Sequence, residues 1–174
     1  MTTLRLGPDL GTLHVRTGVE GRLARAGHAL LLRFDDWEAT AEVEGARLVA
    51  VRAGVALASL HVERGDGLLP LSPLDRRTIR RNALRALHAD AQPHVTYAST
   101  SVDGLRVEGV LQVAGAERST PLDLRVDGDR VLLDVPVRQT AFAVEPYRAL
   151  AGGLRVQDEV HVMLDVRVPG GVPA

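Results

Sequence analysis

The stretch "WEATAEVE", residues 37 to 44, alternates without exception. Trp37, Ala39, Ala41 and Val43 share one parity, and Glu38, Thr40, Glu42 and Glu44 share the other. A helix would scatter these residues around its circumference. A β-strand sends successive side chains to opposite faces and so sorts them into one apolar and one polar surface. The pattern also pins the register: a slip of one residue would turn Glu38, Glu42 and Glu44 inward as three unpaired carboxylates.

The same period recurs through most of the chain. Leu13 and Val15 oppose His14 and Arg16. His28, Leu30, Leu32 and Phe34 fall on one side, as do Val49, Val51, Ala53, Val55 and Leu57. Near the end Val160, Val162, Leu164, Val166 and Val168 run against His161, Asp165 and Arg167. Asp103-Gly104 and Asp127-Gly128 separate alternating runs, which is a strong hairpin signal. About nine short, closely spaced strands with one dry face predict antiparallel β architecture rather than a parallel sheet buried on both sides. With 174 residues the chain suits one domain, taken as residues 1–169, followed by a frayed tail at 170–174. Only 3% of the residues are aromatic, so the core must be built mainly from Val, Leu and Ala.

The segment "LSPLDRRTIRRNALRALHAD", 71 to 90, breaks this rhythm. Ser72 and Asp75 form a capping pattern with Pro73 at the first helical position. Ile79, Ala83, Leu84 and Leu87 then share a helical face, which predicts one amphipathic helix from Pro73 to His88. Such a helix can plug or cap the end of a barrel. It carries Arg76, Arg77, Arg80, Arg81 and Arg85. Two readings of these arginines stay open: a solvated face, or an anion site using the forked donors of guanidinium.

Several chemistries are excluded. All 21 basic residues are arginine, which removes lysine Schiff bases and the P-loop lysine. The absence of cysteine removes disulfides, thiol nucleophiles and thiolate metal sites. A net charge of −1 argues against a nucleic-acid-binding surface. There is no Gly-x-Ser-x-Gly elbow, and the six histidines have no ligand spacing. Asp35-Asp36 and Asp158-Glu159 are strand neighbours that point apart. No catalytic residue, metal or cofactor is therefore expected. No signal peptide or bilayer-spanning apolar run is visible, so a soluble cytoplasmic protein is expected, with a homodimer left open.

Four stretches in order, residues 15–43, 59–100, 107–124 and 139–164, resemble the YceI-like family of polyisoprenoid-binding, lipocalin-like barrels. The helix beginning "PLDRR", the following "PHVTYAST" and the late "QTAFAVEPY" carry the resemblance most clearly. Two positions depart from the family pattern: Ala29 stands where Asp is usual, and Ala143 where Gly is usual. The resemblance implies an all-β, antiparallel lipocalin-like barrel of about eight strands, with the helix packed at one end. It implies binding of a long-chain isoprenoid or related amphiphile, without bond-making. Leu30, Leu32, Phe34, Trp37, Tyr97, Phe142 and Tyr147 are the candidate wall and mouth residues. His28, Arg76, Arg80 and Arg81 are candidates for a head group. The alternative is the same barrel packed solid as a structural or interaction module; an enzyme using the cavity is a third reading for which no residues are found.

Overall fold

The computed structural model describes residues 1–172, so part of the tail expected to fray lies outside the described residues. In the first half the strands are β1 (Thr2–Leu6), β2 (Gly11–Arg16), β3 (Val19–Glu20), β4 (Ala29–Phe34), β5 (Trp37–Glu44), β6 (Arg47–Ala56) and β7 (Leu60–Asp66). One helix, α1 (Pro73–Ala86), follows. Then come β8 (His94–Asp103), β9 (Arg106–Val113), β10 (Ala116–Ser119), β11 (Leu122–Asp123), β12 (Arg125–Asp127) and β13 (Arg130–Arg138). The chain closes with β14 (Arg148–Ala149), β15 (Leu154–Val156) and β16 (Glu159–Arg167). No helix of the described residues is long and apolar enough to cross a membrane.

Every described strand pair is antiparallel. The strands form a seven-stranded sheet ordered β1-β5-β6-β8-β9-β10 with β11 added on β9, a six-stranded sheet ordered β12-β13-β16-β2-β4-β7, and a small sheet of β14, β15 and β3. The expected antiparallel β architecture is observed, but among the described residues the ladders do not join into one ring, so a closed barrel of about eight strands is not seen. One reason lies at β7, whose outer edge meets a helix instead of another strand.

The expected phase of β5 is observed. Trp37, Ala39 and Val43 are buried, while Glu38 and Glu44 are exposed. In β6 the phase differs from the expectation at one point. Glu42 opposes Ala50 but Val43 opposes Leu48, so Val49 is the extra residue of a bulge. Directly opposed residues share a face, which puts Leu48, not Val49, with Val43. The dry core gathers Leu13, Leu32, Phe34, Trp37, Ala39, Leu57, Leu60, Val62 and Val166.

Helix α1 begins as its sequence dictates. The Asp75 amide donates to Ser72 Oγ at 3.1 Å, and the Asp75 carboxylate accepts from the Ser72 amide at 2.8 Å. The Ser72 hydroxyl, donating to the same carboxylate at 2.7 Å, and then the Ser72 amide hold the Asp75 carboxyl below its usual range. Ile79, Ala83, Leu84 and Leu87 pack against the core. The helix stops at Ala86, two residues before the expected end, because His88 is left-handed at φ 54° and the chain turns there.

Two of the arginines have a backbone task. Arg76 Nη1 donates to the carbonyls of Val62 at 2.6 Å and Glu63 at 3.0 Å. Arg80 donates through Nε to Leu60 at 2.7 Å and through Nη2 to Ala58 at 2.6 Å. An edge strand presents a row of unpaired carbonyls. Residues i and i+4 of a helix lie one above the other, so Arg76 reaches the Val62 and Glu63 carbonyls of β7 while Arg80 reaches Leu60 at its start and Ala58 just before it. Here guanidinium takes the place of a missing neighbour strand.

Candidate functional site

The inner faces of the two large sheets form the candidate site. Cross-strand pairs line it with aliphatic residues: Val135 opposes Val162, Leu133 opposes Leu164, and Ala39 opposes Ala53. Packing is incomplete. Val15, Leu30, Ala53, Val55, Val162 and Leu164 lie against the core yet stay partly exposed.

Leu32, Phe34 and Trp37 are buried members of the core, with Leu30 half-buried against them. The indole Nε1 of Trp37 is buried and has no hydrogen-bond partner among the described residues. Tyr97 and Phe142 are also buried. Tyr147, another of the wall and mouth candidates, is 52% exposed. Six of the seven candidates therefore lie inside the fold, and Tyr147 sits on its surface.

Tyr97 is the most constrained of them. Its hydroxyl donates to the Thr120 carbonyl at 3.1 Å, and its ring lies over Gly109 of β9. Burial, with a smaller contribution from Glu108, pushes the phenol up to about 12. Gly109 was not among the sequence candidates. A glycine inside the alternating run "VEGVLQV" was the available signal, because an interior strand glycine often marks a close approach.

The four head-group candidates do not converge. His28 Nε2 donates to the Leu69 carbonyl at 2.7 Å. Arg76 and Arg80 face the carbonyls of β7, so their observed contacts are structural and form no anion pocket. Arg81 is exposed. The rim loop after β13 is held by Asp158, whose carboxylate accepts from the Thr140 amide at 2.8 Å and from its hydroxyl at 2.6 Å. Those bonds keep its carboxyl below the usual range. Ala143 in this loop adopts a left-handed conformation, φ 56° and ψ 24°.

Two preformed spaces stand out, and both are small. A groove of about 260 Å³ is lined by Arg5, Leu6, Gly7, Asp9, Trp37, Glu38, Ala39 and Thr40. A dent of about 50 Å³ lies among Arg16, Ala29, Leu30, Leu31, Arg64 and Asp66. Small-molecule pockets usually span about 300–1,000 Å³. Neither space is an apolar tunnel for a long chain.

A family model described as a YceI-like domain matches residues 12–168. Among solved structures, BcnA of Burkholderia cenocepacia superposes with a TM-score of 0.62 at 14% identity, covering 92% of this chain and 98% of BcnA. A mutant CJ YceI protein carrying a monobromobimane guest gives a TM-score of 0.59 at 14% identity, covering 79% of this chain and 82% of that one. At such identity these likenesses establish a shared fold. No curated protein sequence matches the chain.

Proposed function

Because this chain belongs to the YceI-like domain family, we propose that it binds a long-chain isoprenoid or related amphiphilic lipid between its two large sheets. The supporting observation is the aliphatic inner surface whose residues, Leu30, Val55, Val162 and Leu164 among them, remain partly exposed. Apolar area removed from water is worth about 25 cal/mol per Å² before entropic costs, so a long chain can be held by burial alone. Neither the groove nor the dent can hold a long chain as it stands, so a chain held there would need the walls to move apart. Leu30, Leu32, Phe34, Trp37, Tyr97 and Phe142 would form the wall. The activity is sequestration and no bond is made or broken.

The test is native mass spectrometry of protein expressed in bacteria, followed by titration with a prenyl alcohol. A co-purifying prenyl or acyl lipid, or a melting temperature that climbs with added alcohol by mass action, supports the reading. Protein that is ligand-free and thermally indifferent to prenyl and acyl chains overturns it.

A second reading rests on the same small volumes: the two sheets pack as a solid module whose partner is another macromolecule. The ligand-free outcome selects it.

A further inference from the structure

The chain between β7 and α1, together with the first turn of α1, exposes apolar side chains. Leu68 is 79% exposed, Leu69 73% and Leu74 70%. This segment is anchored: the Leu69 carbonyl accepts from His28, and Leu71 packs into the core. Its backbone is thus held while three leucines project into solvent.

Beside them runs a row of cations. Leu74, Arg77, Arg81 and Arg85 recur at intervals of three or four residues and so share one stripe of α1. All four are exposed. At 100° per residue Arg81 lies roughly 160° around the helix from Ile79 and Ala83, which face the core. Arg77, Arg81 and Arg85 form no ion pair or side-chain hydrogen bond among the described residues, in contrast to Arg76 and Arg80. Of the carboxylates near the start of the helix in sequence, Asp66 pairs with Arg64 at 3.3 Å, and Asp75 closes the helix cap.

From this arrangement we propose that the 68–85 face docks on a lipid bilayer rich in anionic head groups. The leucines would enter the interfacial region, and the guanidinium groups would meet phosphate oxygens, for which their paired donors are suited. Neither the groove nor the dent is lined by these residues. Exposed leucines flanked by unpaired guanidinium groups match the layering of an anionic bilayer, with apolar chains beneath a phosphate surface. The proposal goes beyond ligand binding in the interior and stands without it, since all these side chains lie outside.

Vesicle flotation tests it, with phosphatidylcholine alone and with phosphatidylglycerol added. The protein is expected to float with the anionic vesicles and to be released by salt. Each arginine near such a surface contributes enough that a triple R77Q, R81Q, R85Q variant should bind about a hundredfold more weakly. A triple L68S, L69S, L74S variant should lose binding even at low salt. All six positions are exposed, and an unchanged melting temperature verifies that each variant is folded. Wild-type protein that stays with the non-floating fraction, or variants that float as wild type does, overturns the proposal and leaves this face to a protein partner.

Discussion

Tyr97 and Gly109 share one space. A Cβ added to Gly109 would come within 2.5 Å of the Tyr97 Cζ and 2.6 Å of the Ala98 carbonyl oxygen. The phenol ring occupies the place where β9 omits a side chain, and the missing side chain lets the hydroxyl reach Thr120. Replacing Gly109 by Ala should therefore destabilise the fold by about 1–3 kcal/mol, the usual range for overpacking a tight interior. Urea unfolding of G109A, Y97L and the double variant checks it. The double variant should lose less than the sum of the two singles, because a leucine side chain is smaller than the phenol and gives the new methyl room.

Tyr97 also predicts an alkaline weakness. Its folded phenol stays protonated to about pH 12, whereas an unfolded tyrosine ionises near pH 10. A raised acid constant means that this contribution to stability is complete below about pH 10 and is lost as pH climbs toward about 12. Urea midpoints measured from pH 9 to pH 11 should fall for wild type, and fall less for Y97F. Parallel pH curves for the two proteins would show that Tyr97 is not the group responsible.

Arg76 and Arg80 should matter through backbone protection. Arg80→Met keeps most of the stem but removes donors to Leu60 and Ala58, and hydrogen bonds from charged groups are worth about 1.5–3 kcal/mol each when well shielded. Part of this pair of bonds is solvent-exposed, so a loss at or below the lower end of that range is expected. Hydrogen exchange should quicken in β7 and in α1, which that contact ties together. Arg77→Met, whose side chain is exposed and makes none of these bonds, should change neither.

Ala143 is expected to be a site of stored strain. A left-handed backbone costs a residue with a Cβ roughly 1–2 kcal/mol relative to glycine, which adopts it freely. Part of that gain is offset by the extra freedom glycine has in the unfolded chain. Ala143→Gly should thus raise stability by roughly 0.5–1 kcal/mol, read as a higher urea midpoint with unchanged slope.

The elements were legible because their causes are local. Period-two alternation placed Trp37, Ala39 and Val43 inward, and Ser72, Pro73 and Asp75 marked the helix start, since faces and caps depend on neighbours a few residues away. The bulge at Val49 is not legible in the sequence, because an extra residue in one strand is visible only against its partner, Glu42 and Val43.

For the candidate site, the sequence by itself determined which residues turn inward, and therefore that the interior is aliphatic. The tertiary structure alone decided how much room remains between the sheets. It also decided that Tyr97 fills the gap at Gly109, that Tyr147 lies outside, and that Arg76 and Arg80 seal the edge of β7 while Arg77, Arg81 and Arg85 stay free of it. Those facts depend on the separation and order of strands far apart in the chain. Alternation records the side a residue faces; it carries no measure of what stands opposite, because that distance is set by long-range packing.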